Sequence, residues 1–358
     1  MNHVNMRLFL AKIPYTEGLP SQLVSSLLWN GQYGVQIFFA VSGFLIASTS
    51  IRRWGSLSQV SMRDFYSLRF ARIAPLLLLV LATLCALHAA GIRDFVVSGK
   101  TGGLGRALLA ALTFRVNVLE AHRGYLPGNW DVLWSLSVEE TFYLFFPVVC
   151  LLLGRGNRLV TLLMIFVILG PFARATLSRG NEVWQEYSYL GSMDAIALGC
   201  LTAIATSRLT LGLRLQRWLG GTGAVAVLFI LCFSTEAEAL GLSRSGLDMT
   251  ILAAGTCLVI AVAAQTRWRG PPLALPLITL GRRSYEVYLT HMFVVFALFR
   301  LFERFAPSRA ALTGLFVGVL LLAGALGEIV ARWYSDPMNR LLRRRLGEGP
   351  QRIGTATP

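Results

Sequence analysis

VLWSLSVEETFYLFFPVVCLLL, residues 132–153, is long and apolar enough to cross a bilayer, yet it carries two adjacent glutamates, Glu139 and Glu140. A helix of about 20 residues spans the hydrocarbon core. An acidic side chain at mid-membrane costs about 2.5–3.5 kcal/mol on insertion scales. Successive helical positions differ by about 100°, so the two carboxylates cannot share one polar face. At least one must turn inward, to a partner or a water-filled cavity, and an ionisable group at that depth marks a functional site. Ser135 and Glu139 are four apart and lie on one face; Glu140 and Tyr143 lie on another. Glu139 then acts as an acid or base, holds an arginine or histidine in place, or locks two helices as a buried ion pair.

Composition extends this reading to the whole chain. Of 358 residues, 55% are hydrophobic and 14% charged, with mean hydropathy +0.60; soluble domains carry about 25% charged residues. The fold class is all-α, a polytopic membrane helix bundle forming one integral unit over 1–358, with a basic tail at 336–358. Nine spans are expected, near 32–50, 73–90, 132–153, 159–177, 188–206, 218–235, 247–265, 285–302 and 311–331. Residues 107–119 are apolar but short, and read as re-entrant or interfacial. Met1–Arg7 lacks the basic-then-apolar order of a cleavable signal.

The net charge of +15 does not point to nucleic acid, because the basic residues sit in short loops between apolar stretches. Alternate loops and the tail hold 20 of the 33 basic residues. Those loops are expected to be cytoplasmic, with the C-terminus inside and the protein in a bacterial inner membrane. The N-terminus then begins outside with no apolar run before it, so a preceding helix is expected to be missing. All five cysteines fall in apolar stretches, and no CxxC or HxxxH spacing occurs. They read as small core hydrophobes, with neither a disulfide framework nor a metal site.

Four further segments bear chemistry. In GQYGVQIFFAVSGF (31–44), Gly34 and Gly43 allow close helix approach, and Ser42 either bonds across helices or lines a site. The loop RRWGSLSQVSMRDFYSLRFARIAP (52–75) places Arg69 and Arg72 three apart; guanidinium forks suit phosphate, and positive-inside anchoring is also sufficient cause. In GRRSYEVYLTH (281–291), Ser284, Tyr288 and His291 fall on one helix face. Asp194, in SMDAIALGC, is expected to cap or pair near the outer interface. Alone, His3 reads as an exposed terminal histidine.

Taken in order, GVQIFFAVSGFLI, RFARIAP, NWDVLWSLSVEETFYLFFPVV, MDAIALG, SYEVYLTH and YSDPMNR resemble the acyltransferase family 3 of membrane proteins. The resemblance covers nearly the whole chain. It implies ten spans and transfer of an acyl group, commonly acetyl, from acyl-CoA to a hydroxyl of a carbohydrate or lipid-linked sugar. His3 occupies the place of the family histidine at the end of helix one, and is implied as the catalytic base, by direct transfer or through an acyl-histidine. The family arginine about ten residues earlier would precede Met1. Arg69 and Arg72, with Arg52 or Arg53, are implied to hold the coenzyme A phosphates. Glu139 is implied to orient or charge-stabilise His3 or to pair with an arginine. Ser42, Ser135, Ser284, Tyr288 and His291 are implied to line the cavity. No bound cofactor is expected. Rival readings are a proton-coupled transporter, which lacks support from any inverted repeat, and an inactive relative.

Overall fold

The computed structural model describes residues 1–16, 20–177, 180–266, 271, 274–305 and 309–346; every regular element among them is helical. Nine helical segments among the described residues are long and apolar enough to cross a membrane. The chain is an integral membrane protein, as its patterning predicts. The principal helices are α1 (Asn2–Leu10), α2 (Gly31–Trp54), α3 (Met62–Ala89), α4 (Gly103–Leu112), α5 (Val116–Arg123), α6 (Leu133–Leu153) and α7 (Arg158–Phe172). They continue with α8 (Tyr189–Arg208), α9 (Leu213–Cys232), α10 (Leu247–Gln265), α11 (Ser284–Phe305), α12 (Arg309–Val330) and α13 (Asp336–Arg345).

Three boundaries differ from the patterning. Helix α3 begins at Met62, not near 73, because Ser61 Oγ caps it by accepting from the Asp64 amide at 3.4 Å. Arg63, Arg69 and Arg72 therefore lie in a helix, not a loop. The apolar stretch 107–119 is two helices, α4 and α5, parted by Phe114 at φ +54°, a conformation a bulky residue continues in no helix. At the other end α12 runs through a π-turn at Ala331–Ser335 into α13, so residues 336–345 of the basic tail are helical. Residues 347–358 of the tail lie outside the described residues.

Two groups of helices make the bundle. In one, α8 packs against α2, α7 and α10, and α10 packs against α9 and α2. In the other, α11 packs against α12 and α3, and α13 against α3. Helices α2 and α6 touch where the groups meet, and short α1 lies on α11.

The α2–α8 contact is a backbone contact. A Cβ on Gly43 would strike the Ile196 carbonyl, and one on Gly199 the Ala40 carbonyl. Cys200 Sγ donates to the Gly43 carbonyl at 3.3 Å. Small residues allow such approach in lipid, where van der Waals packing replaces the hydrophobic drive between helices. Gly43 is used as its sequence suggests; Gly34 is not, since nothing lies within 4 Å of a Cβ there. The five cysteines are free thiols, three of them buried.

Candidate active site

Helix α1 has nine residues, too few to stand alone, and is held by its surroundings. Val4, Asn5 and Leu8 are buried. Asn2 Nδ2 donates to the Trp29 carbonyl at 3.0 Å, and Asn5 Nδ2 to the Leu28 carbonyl at 3.1 Å. Arg7 pairs with Asp94, which also takes Arg300 Nη2 at 2.6 Å. The Arg7 guanidinium lies 4.2 Å from the centre of the Phe296 ring, a cation–π contact.

These anchors place His3 inside the protein, half-buried, and not at an exposed terminus. Its ring lies 5.1 Å from that of His291. His291 Nδ1 is 2.6 Å from the Tyr288 carbonyl oxygen. A carbonyl only accepts, so Nδ1 carries the proton and Nε2 is left as the basic nitrogen. The Tyr288 hydroxyl donates to the Val132 carbonyl at 2.8 Å and lies 2.6 Å from Ser135 Oγ. Its ring stacks parallel on Phe38 with centres 6.1 Å apart. Four of the expected residues, His3, His291, Tyr288 and Ser135, thus form one cluster from α1, α6 and α11.

One turn along α6 from Ser135 stands a second cluster. Ser42 Oγ and the Tyr143 hydroxyl both donate to Glu139 and touch each other. The Arg69 guanidinium lies 3.4 Å from the centre of the Tyr143 ring and acts electrostatically on Tyr143, Glu140 and Glu139. Arg69 Nε and Glu140 Oε1 are sealed from solvent without a hydrogen-bond partner.

Several expectations are corrected here. The neighbour of His3 is a second imidazole, His291, while Glu139 is bonded by Ser42 and Tyr143 with Arg69 acting on it electrostatically. Tyr143 bonds Glu139, its i−4 neighbour, although the sequence pattern grouped it with Glu140. Arg69 is half-buried, its guanidinium against the face of the Tyr143 ring. Arg52 and Arg72 are exposed, and among the described residues neither forms an ion pair with a carboxylate. Arg53 lies 5.6 Å from the ring of Trp54. Ser284, at the first turn of α11, lies one turn from Tyr288 and two from His291; it makes no hydrogen bond among the described residues.

Arg174 was missed. It is 7% exposed and forks onto Asp194, itself fully buried, through Nη2–Oδ2 at 2.7 Å and Nη1–Oδ1 at 3.1 Å. It also donates to the Gly246 and Gly191 carbonyls and to Thr250 Oγ1. Gln36 of α2 donates to the same Asp194 at 3.2 Å. The expected pairing of Asp194 is therefore a deep lock joining α2, α8 and α10. Its sequence signal was a lone arginine closing one apolar span, with a lone aspartate opening the next. A polar cavity of about 190 Å³ adjoins this lock, lined by Gln32, Gln36, Arg174, Gln185 and Asp248 among others. It contains neither His3 nor Glu139. Among the described residues no three His, Cys, Asp or Glu side chains are placed to share a metal.

An imidazole pair, a tyrosine–serine contact and a carboxylate–arginine cluster are thus arranged along α6 of the bundle. The sequence profile described as "Acyltransferase domain", that of acyltransferase family 3, matches residues 3–328, and the chain belongs to this family. It is similar to the O-acetyltransferase OatA of Staphylococcus aureus (strain NCTC 8325 / PS 47), 24% identical over 336 residues, covering 87% of this chain and 53% of that protein. It is also similar to the putative peptidoglycan O-acetyltransferase YrhL of Bacillus subtilis (strain 168), 26% identical over 309 residues, covering 79% and 48%. A third relative is the peptidoglycan O-acetyltransferase OatA of Listeria monocytogenes, 24% identical over 312 residues, covering 78% and 49%. The chain spans about half the length of these curated relatives. No solved structure matches it.

Proposed function

We propose that this protein moves an acyl group, in the first instance acetyl, from acyl-CoA to a hydroxyl of a cell-surface carbohydrate. The observation that carries the reading is the convergence of His3, His291, Tyr288 and Ser135 inside a membrane bundle of an acyltransferase family. His3 takes the proton of the acceptor hydroxyl. The oxygen attacks the thioester carbonyl, the C–S bond breaks, and the proton passes from the imidazolium to the departing thiolate. An ester and free coenzyme A result. A positioned base of this kind contributes about 10²–10⁴-fold.

His291, with Nδ1 committed to its own helix, holds the second imidazole beside the reacting one. The Tyr288 hydroxyl is fixed by Val132 and Ser135. The Ser42–Glu139–Tyr143–Arg69 cluster braces α2, α6 and α3 around the path along which the donor enters. Arg72 and Arg52, exposed and outside any ion pair among the described residues, offer guanidiniums to the coenzyme phosphates, with Arg53 adjacent. The arginine-rich loops and tail support a reading in which that entrance faces the cytoplasm at a bacterial inner membrane.

The test supplies acetyl-labelled acetyl-CoA to membranes containing the protein and analyses cell-surface glycans by mass. Label in ester linkage on sugar supports the assignment. Proton-coupled flux with no acylated product would replace it with a transport function.

A further inference from the structure

The segment 116–131 holds four buried polar atoms with no hydrogen-bond partner: Asn117 Oδ1, Glu120 Oε2, Asn129 Nδ2 and Trp130 Nε1. Asn117 and Trp130 are fully buried and Asn129 is 3% exposed. Leaving such an atom unpaired costs about 1–3 kcal/mol. Native folds keep few of them, and four in one short segment call for a partner from a ligand or ordered water.

Their position is informative. The turn Gly128–Asp131 lies directly on α11, where a Cβ on Gly128 would come within 2.6 Å of Met292, the residue after His291. Asp131 precedes Val132, whose carbonyl takes the Tyr288 hydroxyl. Asn117 Nδ2 donates to the Tyr187 carbonyl at 3.0 Å, and the Tyr187 hydroxyl donates to Asp131 at 3.2 Å. The Tyr187 ring stacks on Trp134 with centres 4.0 Å apart. The turn that carries Asn129 and Trp130 therefore lies beside the Tyr288–Met292 stretch of α11, and Asn117 is joined to that turn through Tyr187.

Their chemistry narrows the ligand. Two N–H donors, one amide carbonyl and one carboxyl oxygen suit hydroxyl groups, which both give and take hydrogen bonds. The same segment contains the carboxyls of Glu120 and Asp131, which act on each other. Burial first, and the Asp131 charge second, push the Glu120 carboxyl well above the usual range, which favours its protonated, donating form. A phosphate or carboxylate would meet repulsion here; a neutral sugar ring would not.

We propose that Asn117, Asn129 and Trp130 form the acceptor subsite, holding hydroxyls of a neutral sugar ring while another hydroxyl faces His3. The proposal rests on the reading of the chain as a carbohydrate acyltransferase.

The test uses the full chain in detergent with acetyl-CoA and chitotetraose, a neutral β-1,4-linked N-acetylglucosamine tetramer. Trp130→Phe keeps the ring and removes only the N–H; it should raise the acceptor KM about five- to ten-fold with the donor KM unchanged. Asn129→Ser should act alike. Hydrogen exchange on the unaltered protein gives a readout independent of any variant: chitotetraose should slow exchange across 116–131. An acceptor KM unmoved by Trp130→Phe, or exchange in 116–131 unmoved by chitotetraose, overturns the subsite and identifies the unpaired atoms as water-satisfied. Failure of the unaltered protein to acylate any carbohydrate overturns the function reading itself, and the subsite falls with it. Acylation with an indifferent Trp130→Phe overturns the subsite alone.

Discussion

Replacing Arg174 with methionine should be among the most destabilising single changes in the bundle. The substitution keeps an unbranched apolar stem and removes the guanidinium. Asp194, fully buried, would retain only Gln36, Thr250 and the Ala195 amide as partners. The Gly246 carbonyl would lose both of its arginine donors. Breaking one side of a buried ion pair costs about 3–5 kcal/mol, most of it the desolvation of the charge left behind. Neutralising both sides removes that charge, so Arg174→Met with Asp194→Asn should cost less than Arg174→Met alone. A loss of about 3 kcal/mol is roughly 150-fold in the folding equilibrium. The assay is equilibrium unfolding in mixed micelles followed by tryptophan fluorescence, for both single variants and the pair. A cost for Arg174→Met below about 1 kcal/mol, or a double variant as costly as the two singles added, would refute the lock.

Gly199→Val should cost about 1–3 kcal/mol by forcing α8 away from the Ala40 carbonyl of α2, whereas Gly34→Ala, with nothing near its Cβ, should leave unfolding unchanged or slightly improved. Burial alone would raise the Asp94 carboxyl, but Arg7 and Arg300 outweigh it and hold the group below its ordinary 3.8. The stabilisation it gives is therefore complete above that value and lost as pH falls through the depressed one. Melting curves from pH 7 to 3 should show Asp94→Asn less stable than the unaltered protein at neutral pH, with the gap closing only in acid; a gap that widens in acid would contradict the clamp. Arg72→Ala should raise the KM for acetyl-CoA several-fold and leave the acceptor KM alone, read by initial rates with each substrate varied in turn.

The membrane class, the number of spans and the central role of 132–153 were legible because charge is scarce and each glutamate in an apolar run stands out. The cluster around Tyr288 and His291 was legible as a polar stripe at helical spacing. Partners between distant elements were not. Nothing local says that Tyr143 turns to Glu139 and not to Glu140, since either spacing fits one side of a helix. Arg69 read as a phosphate ligand or a positive-inside anchor, and its place against the Tyr143 ring was not legible because it depends on packing between α3 and α6. Arg174 was passed over, because its partner Asp194 lies in the next span and only tertiary packing joins them. His3 was the extreme case: the residues around it suggest a frayed end, and its burial depends on Asn2, Asn5 and Arg7 gripping carbonyls and a carboxylate far along the chain.

The most direct measurement is transfer by His3→Ala. Purified full-length protein, reconstituted with labelled acetyl-CoA and a carbohydrate acceptor, should lose transfer by about 10²–10⁴-fold, with its melting temperature and acetyl-CoA binding intact. Transfer at the unaltered rate, from a variant verified by mass, would remove His3 from the chemistry and with it the account of this site.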